Sequence, residues 1–382
     1  MQNNNLKKTI FLLGLLLAAC QSSGIPNTAP TASSVSADSS QLPDESQPTG
    51  PEVIATPRPE VINPLTGLPA DDPTLLNRHP VMVKVSNFPR LGRPHAGLSF
   101  ADIVFDYYIG YGTNRFLALY YGQDSTTIGP VRSGRRVDKE LVSLYSGVLA
   151  YGSADNDTDI ELVTTLGDYA ISNLEAPCPA FCGKSTHDAV GVFANSKAIS
   201  EFVTAQGLDN GKPDLPGLVF SEEPPLEAQY GAQVNVLFNY LNRAEWRYDP
   251  ESGSYLRWIE YVPDESKEDY EMIPLTDRVT GKQLAFSNII LVFAEYTELA
   301  PSAHAINIWG NDKGQPAYFF RDGMLTQGKW KALHDDDPIQ FLRANGEPYA
   351  LKPGNTWIVI AGLSSSIQEV EQGIWELFFF LP

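Results

Sequence analysis

Residues 128–151 read IGPVRSGRRVDKELVSLYSGVLAY, and this stretch decides the fold. Its first nine residues, Ile128 to Arg136, put three guanidinium groups within five positions, directly after a Gly-Pro turn. From Asp138 to Tyr145, the apolar residues Leu141, Val142, Leu144 and Tyr145 are spaced for a helix with one buried face. Val148 to Tyr151 is then a short, continuously apolar strand that ends in Gly152-Ser153. Turn, helix and buried strand in succession point to an α/β sheet with layers on its faces.

Strands at Val81–Val85, Ala101–Tyr108 and Asn114–Tyr121 precede this stretch, the last two joined by the turn Gly110-Tyr111-Gly112. Behind it, Asp159 to Leu166 repeats the helical spacing, with Asp159 and Glu161 in the first turn, where negative charge meets the positive helix end. Thr186 to Leu208 reads as mostly helical, with a break near Asn195-Ser196. Beyond Leu208 the texture changes. Residues 211–231 are rich in Pro and Gly and read as a linker. Gln233 to Tyr240 alternates polar and apolar residues, and residues 244–248 and 255–258 flank Asp249-Pro250-Glu251-Ser252-Gly253 as a β-hairpin. Later strands are expected at Asn288–Phe293, Ala303–Trp309, Pro316–Arg321 and Thr356–Ile360. The expected architecture is an α/β domain over residues 61–210 followed by a mostly β domain over 232–382, α+β as a whole.

The N-terminus carries an address. Lys7 and Lys8 precede the apolar run Thr9 to Leu17, which is shorter than the roughly 20 residues of a spanning helix. The run closes on Leu17-Ala18-Ala19-Cys20, which resembles a bacterial lipobox. This implies a signal peptide over residues 1–19, lipid on Cys20, and a membrane-anchored, extracytoplasmic protein. Residues 20–60 are dominated by Ser, Thr, Pro, Ala and Gln and cannot bury enough surface to offset their ordering entropy. They read as a tether with a coil size of roughly 35 Å and a full reach of roughly 130 Å.

Outside the cytoplasm, Cys178 and Cys182 are most simply a disulfide that closes one small loop. The formal net charge of −19 disfavours nucleic acid, whose backbone needs a basic surface. The five histidines are scattered, and Asp335-Asp336-Asp337 lacks the pattern of a calcium loop, so no metal and no cofactor are expected. Gly-x-Ser-x-Gly, Ser-x-x-Lys and Walker-type motifs are missing.

In an acidic chain the arginine run needs a reason, because a guanidinium is a flat fork of donors suited to carboxylate or phosphate. Ligands of open α/β sheets bind past the carboxyl ends of the strands. The candidate anion-binding set is therefore Arg93, Asp106, Arg115, Arg132, Ser133, Arg135 and His187, with Arg136 beside them and Ser153, Asp155 and Asp188 downstream.

Several segments carry a family resemblance. They are residues 63–69 (NPLTGLP), 93–104 (RPHAGLSFADIV), Arg115-Phe116 and 128–135 (IGPVRSGR) in the first half. In the second they are 255–257 (YLR), 277–281 (DRVTG), 288–292 (NIILV), 320–323 (FRDG), 328–330 (GKW) and 353–357 (PGNTW). Together they resemble the YerB-like bacterial lipoproteins, a pair of domains of unknown function. The resemblance implies a two-domain lipoprotein and no established activity. Asp106 stands where that family tends to have Glu, Asn114 where it has Thr, and Thr186-His187-Asp188 replaces a Pro-His-Asn run.

A fainter likeness, in the strand, Gln123-Asp124 turn and Val131-Arg132-Ser133 segment, is similar to the LytR-CpsA-Psr wall-polymer transferases. Those hold a lipid pyrophosphate with arginines and magnesium, but their Arg-Asp signature is not reproduced here. Three readings follow. One is a non-enzymatic envelope lipoprotein binding an anionic ligand or wall component. The second is an enzyme acting on phosphorylated or carboxylated glycans, with Arg132, Arg135 and Arg136 holding the anion and Asp106 helping with a metal or proton. The third is an interaction module whose protein partner the sequence does not name.

Overall fold

A computed structural model describes residues 60–184, 189–226, 228–263 and 269–381. The segments expected to be a signal peptide and a tether, apart from Glu60, lie outside the described residues, as do His187 and Asp188. Residues 58–382 form one compact unit.

The first half runs β1 (Val81–Ser86), β2 (Ile103–Gly110), β3 (Thr113–Tyr120), α1 (Arg136–Leu144), β4 (Val148–Tyr151), α2 (Asn156–Leu166), β5 (Ala170–Ser172), β6 (Phe181–Gly183), β7 (Val192–Ala194) and α3 (Ser196–Ala205). The second half is built of strands: β8 (Val219–Phe220), β9 (Gln229–Tyr230), β10 (Gln233–Asn239), β11 (Asn242–Asp249), β12 (Ser254–Tyr261), β13 (Glu271–Pro274), β14 (Ala285–Phe286) and β15 (Asn288–Ala300). There follow β16 (Ala303–Asn307), β17 (Asn311–Arg321), β18 (Met324–Ala332), β19 (Gln340–Arg343), β20 (Ala350–Leu351), β21 (Thr356–Gly362), β22 (Ser366–Glu371) and β23 (Ile374–Phe378). This is the mixed α/β half followed by the mostly β half that the patterning implies.

The halves meet in one sheet of order β19-β18-β17-β15-β21-β2-β3-β1-β4-β5, in which β2 pairs in parallel with β21. A second sheet, β13-β12-β11-β10-β23-β22, packs on one face of the first. Phe116, Trp246, Phe286 and Trp357 interlock between them, with ring centroids 4.9–5.7 Å from Trp357. Helix α1 covers the opposite face of β1 and β2, where Asp138 of the helix meets Lys84 and Tyr107.

Two expectations change. The expected helix over Thr186 to Leu208 is shorter: in its described part, residues 189–208, β7 precedes α3, which starts only at Ser196. Val192-Phe193-Ala194 pairs with β6 as a hairpin. The Asn195 side chain then accepts from the Ala198 amide at 3.1 Å as the helix cap. Inside residues 211–231, β8 pairs with β20 and β9 with β18, so part of the Pro-rich stretch is stitched into sheets.

Candidate functional site

The arginine segment sits where the large sheet opens. Strand β1 pairs in parallel with β4 through Val81, Met82 and Val83 and then leaves it. Residues 130–134 fill the gap. On one side, Ser86 N donates to Pro130 O at 2.8 Å and Arg132 N to Lys84 O at 2.9 Å. On the other, Gly152 N donates to Arg132 O at 2.9 Å and Gly134 N to Ser153 O at 2.7 Å. Gly134 lets the segment pack closely on α2, since a Cβ there would lie 2.7 Å from the end of the Leu162 side chain and 3.3 Å from Tyr151. The segment thus lies past the carboxyl ends of the parallel strands β4 and β5, where open sheets bind ligands.

Alternation decides which side chains join it. Lys84 lies opposite Leu117, Ser86 opposite Arg115, and Arg115 opposite Tyr107. Lys84, Tyr107 and Arg115 therefore share the face under α1. Arg115 is 7% exposed and donates Nη1 to the Ser133 carbonyl at 2.6 Å. Arg135 donates Nη1 to the Gly134 carbonyl at 2.9 Å. Arg132 is half-buried beside Ser133, whose hydroxyl is 3.3 Å from that of Ser153. Among the described residues, none of Arg115, Arg132 and Arg135 is in an ion pair with a carboxylate; Asp138 acts on Arg115 and Arg135, and Asp155 on Arg135, from a longer distance. Burial, then the charges of Arg135 and Arg132, hold the Arg115 guanidinium well below its ordinary pKa. Arg135 is moreover the N-cap of α1, a helix end that disfavours cations by roughly 0.3–1 kcal/mol. Asp138 offsets this by accepting from the Arg135 amide at 2.7 Å. Positive charge is concentrated here against two local penalties.

Beside the arginines lies a groove of about 180 Å³, with Arg132, Ser133 and Ser153 at its polar side and Val131, Leu174 and Val192 at its apolar side. Its hydroxyls and guanidinium can donate to several oxygens of one anion. Among the described residues, no group of three or more His, Cys, Asp or Glu is placed to hold a metal ion.

The remaining candidates are elsewhere. Asp106 lies opposite Phe116, on the face that meets the second sheet. It is fully buried, accepts from Asn114 and lies 3.6 Å from Arg257, whose guanidinium is sandwiched 4.1 Å from Trp357 and 4.3 Å from Trp246. Arg93 donates Nη1 to Glu260 at 2.9 Å and Nε to Asn87. Arg136 pairs with Glu161, which also binds Lys139. His95 is fully buried against Phe116, and burial and neighbouring arginines keep it neutral. Cys178 and Cys182 form a disulfide, and β6, which holds Cys182, pairs with β7, which supplies Val192 to the groove.

Sequence reasoning did not single out Lys84 and Asp138. Lys84 Nζ donates to Asp138 Oδ1 at 3.1 Å and to the Tyr107 hydroxyl, which donates to the same carboxylate oxygen. The signal was visible: a lone lysine in the apolar strand Val81-Met82-Val83-Lys84-Val85. A buried charge of that kind needs a partner.

Asn63, in the Asn-Pro-Leu-Thr-Gly motif, has a structural role. Its Nδ2 donates to Asp102 at 2.6 Å, and Asp102 also accepts from the amides of Tyr121 and Gly122. Thr66 accepts from the amide of Gly354 at 2.8 Å, so this motif clamps the Pro-Gly-Asn-Thr segment of the second half.

Comparison with known proteins agrees with this layout. Residues 65–209 match the N-terminal domain, and residues 234–358 the C-terminal domain, of the family described as protein of unknown function DUF3048. The chain is 27% identical over 313 residues to YerB of Bacillus subtilis (strain 168), which is named as a lipoprotein, covering 78% of this chain and 85% of that one. The crystal structure of Bacillus subtilis YerB has the same fold, with a TM-score of 0.64 at 24% identity over 79% of this chain and 97% of that chain. With both halves matched in order, the chain belongs to the two-domain DUF3048 family.

Proposed function

We propose that the chain is an extracytoplasmic protein, anchored by lipid on Cys20, that binds an oxyanion of the cell envelope in the groove beside Arg115, Arg132 and Arg135. The observation that carries the reading is the gathering of three guanidiniums at the opening of the sheet, none of them in an ion pair among the described residues, with Asp138 and Asp155 acting on them only at longer range. A charge cluster of this kind costs free energy in the empty protein and is relieved by an anion. The name of YerB as a lipoprotein and the Leu-Ala-Ala-Cys sequence support the address.

Ligand binding without turnover is favoured over the enzymatic reading by the position of Asp106. The carboxylate that reading relied on lies on the opposite face of the sheet, against Arg257. Partners of the anchored protein are then the membrane and a phosphorylated or carboxylated wall component.

The test titrates the protein with inorganic phosphate, pyrophosphate and soluble wall fragments. Arg132→Ala and Arg135→Ala should each weaken binding at least tenfold without lowering the melting temperature. An equal loss in Arg58→Ala, within the tether, would overturn the reading.

A further inference from the structure

The anion groove has a second layer beneath it. Lys84, Tyr107 and Asp138 are each fully buried, so none of them can touch a ligand. They are nevertheless tied to the backbone of Arg132 and Arg135 and lie beside Arg115. Asp138 accepts from the Arg135 amide with one oxygen and binds Lys84 and Tyr107 with the other. The Lys84 carbonyl accepts from the Arg132 amide. Tyr107 lies opposite Arg115 across β2 and β3.

We propose that Lys84 is the positioning residue of the groove, and that the Lys84–Tyr107–Asp138 cluster takes up a proton when an oxyanion binds to the arginines above it. This rests on the anion-binding reading and adds to it a coupled proton.

The groups around Lys84 give the coupling its sign. Tyr107 reaches it from β2, Asp138 from α1, Arg135 from the cap of α1, and Arg115 from β3; Asp106 acts more weakly from the other face. Strand β4 brings Val148, Leu149 and Ala150 beside β1, and its Tyr151 hydroxyl is engaged with Asp159. Burial pushes the Lys84 ammonium down to about 7, against the pull of Asp138, and the charges of Arg115 and Arg135 press in the same direction as burial. Arg132 lines the groove, while Arg115 and Arg135 stand behind it on the Ser133 and Gly134 carbonyls, so an anion held there offsets part of their field at Lys84. The ammonium form becomes easier to hold, and the lysine protonates as the ligand arrives. The protonated lysine pairs with Asp138, and Asp138 holds the Arg135 backbone in place.

Sulfate is the suitable probe, because it stays fully ionised near neutral pH and brings no proton of its own. Sulfate is titrated calorimetrically into the full chain in neutral detergent at pH 7.5, in buffers of differing ionisation enthalpy. The expected result is a binding heat that varies with the buffer and reports proton uptake. Affinity should fall as pH rises from 7 to 9, by up to about tenfold per unit. Lys84→Met should bind sulfate with a heat independent of buffer. Tyr107→Phe, which keeps the lysine, should retain the uptake with a shifted pH midpoint, and it provides the test if Lys84→Met does not fold. Binding with no buffer dependence in the wild type, or uptake that survives Lys84→Met, overturns the proton coupling alone. Absence of binding by sulfate, phosphate and pyrophosphate alike overturns the underlying anion reading and this inference with it.

Discussion

Asp106 and Tyr107 are adjacent in β2 and serve opposite layers of the protein. Asp106 faces Arg257 and the second sheet, while Tyr107 faces Asp138 of α1 and lies opposite Arg115. A strand turns successive side chains to opposite faces, so neighbours in sequence are separated by the thickness of the sheet. Asp106→Ala should therefore leave anion affinity within about twofold of wild type. It should lower stability by roughly 3–5 kcal/mol, because Arg257 is left buried without its counter-charge. Urea unfolding and sulfate titration of the same variant check both halves of this prediction.

That alternation also marks how far the sequence can be read. The strands of the first half are legible because their apolar runs are bounded by Gly and Pro turns, and α1 is legible from Leu141, Val142 and Leu144. Pairing register is not, because it is set by contacts between strands distant in the chain. Without it, Arg93, Asp106 and Arg115 read as one constellation. The register assigns Arg115 to the α1 face, and Arg93 and Asp106 to Glu260 and Arg257 in the second half. Arg132, Ser133 and Arg135 survive as a group because they are contiguous and need no register. The joining of both halves into one sheet is invisible for the same reason: β2 and β21 are separated by most of the chain.

Lys84 makes stability depend on pH in a defined direction. Burial pushes its folded pKa down to about 7, well below the ordinary value of a lysine in an unfolded chain. Its contribution is fully present above the unfolded pKa and is lost as pH falls through the folded one. Relative to Lys84→Met, the wild type should lose about 1.4 kcal/mol per pH unit as pH falls from 9 to 7, and the difference should level off below that. Urea midpoints of the two proteins at half-unit intervals measure it. A constant difference across the range would place the lysine pKa outside this window.

Gly129 sets the path into the groove. Its φ of +146° is open to glycine, and an added Cβ would lie 2.7 Å from the Val131 amide and 3.2 Å from the Val192 carbonyl. Those are the two groups that bond to each other at 2.8 Å and seat the arginine segment on β7. Gly129→Ala should cost roughly 1–3 kcal/mol in backbone strain. It should also weaken anion binding, since the displaced residues lead directly into Arg132 and Ser133. Unchanged sulfate affinity in a destabilised Gly129→Ala protein would show that the groove does not depend on this seat.

The disulfide between Cys178 and Cys182 closes a loop only five residues long. On the chain-entropy model, so short a loop stabilises by about 2 kcal/mol, a local effect in a chain with an extensive core. Its mechanical reach is through β6, which pairs with β7 at Phe181–Ala194, Cys182–Phe193 and Gly183–Val192. Val192 both accepts from the Val131 amide and lines the apolar side of the groove. The double substitution Cys178→Ser/Cys182→Ser should therefore lower the unfolding free energy by about 2 kcal/mol. It should also raise the hydrogen-exchange rates of the β6–β7 amides ahead of those in β1 and β3. Loosening that wall should weaken sulfate binding less than Arg132→Ala does, because the guanidiniums stay fixed by β1, β3 and α1. Exchange that accelerates uniformly across the large sheet would assign the disulfide a global role in place of this local one.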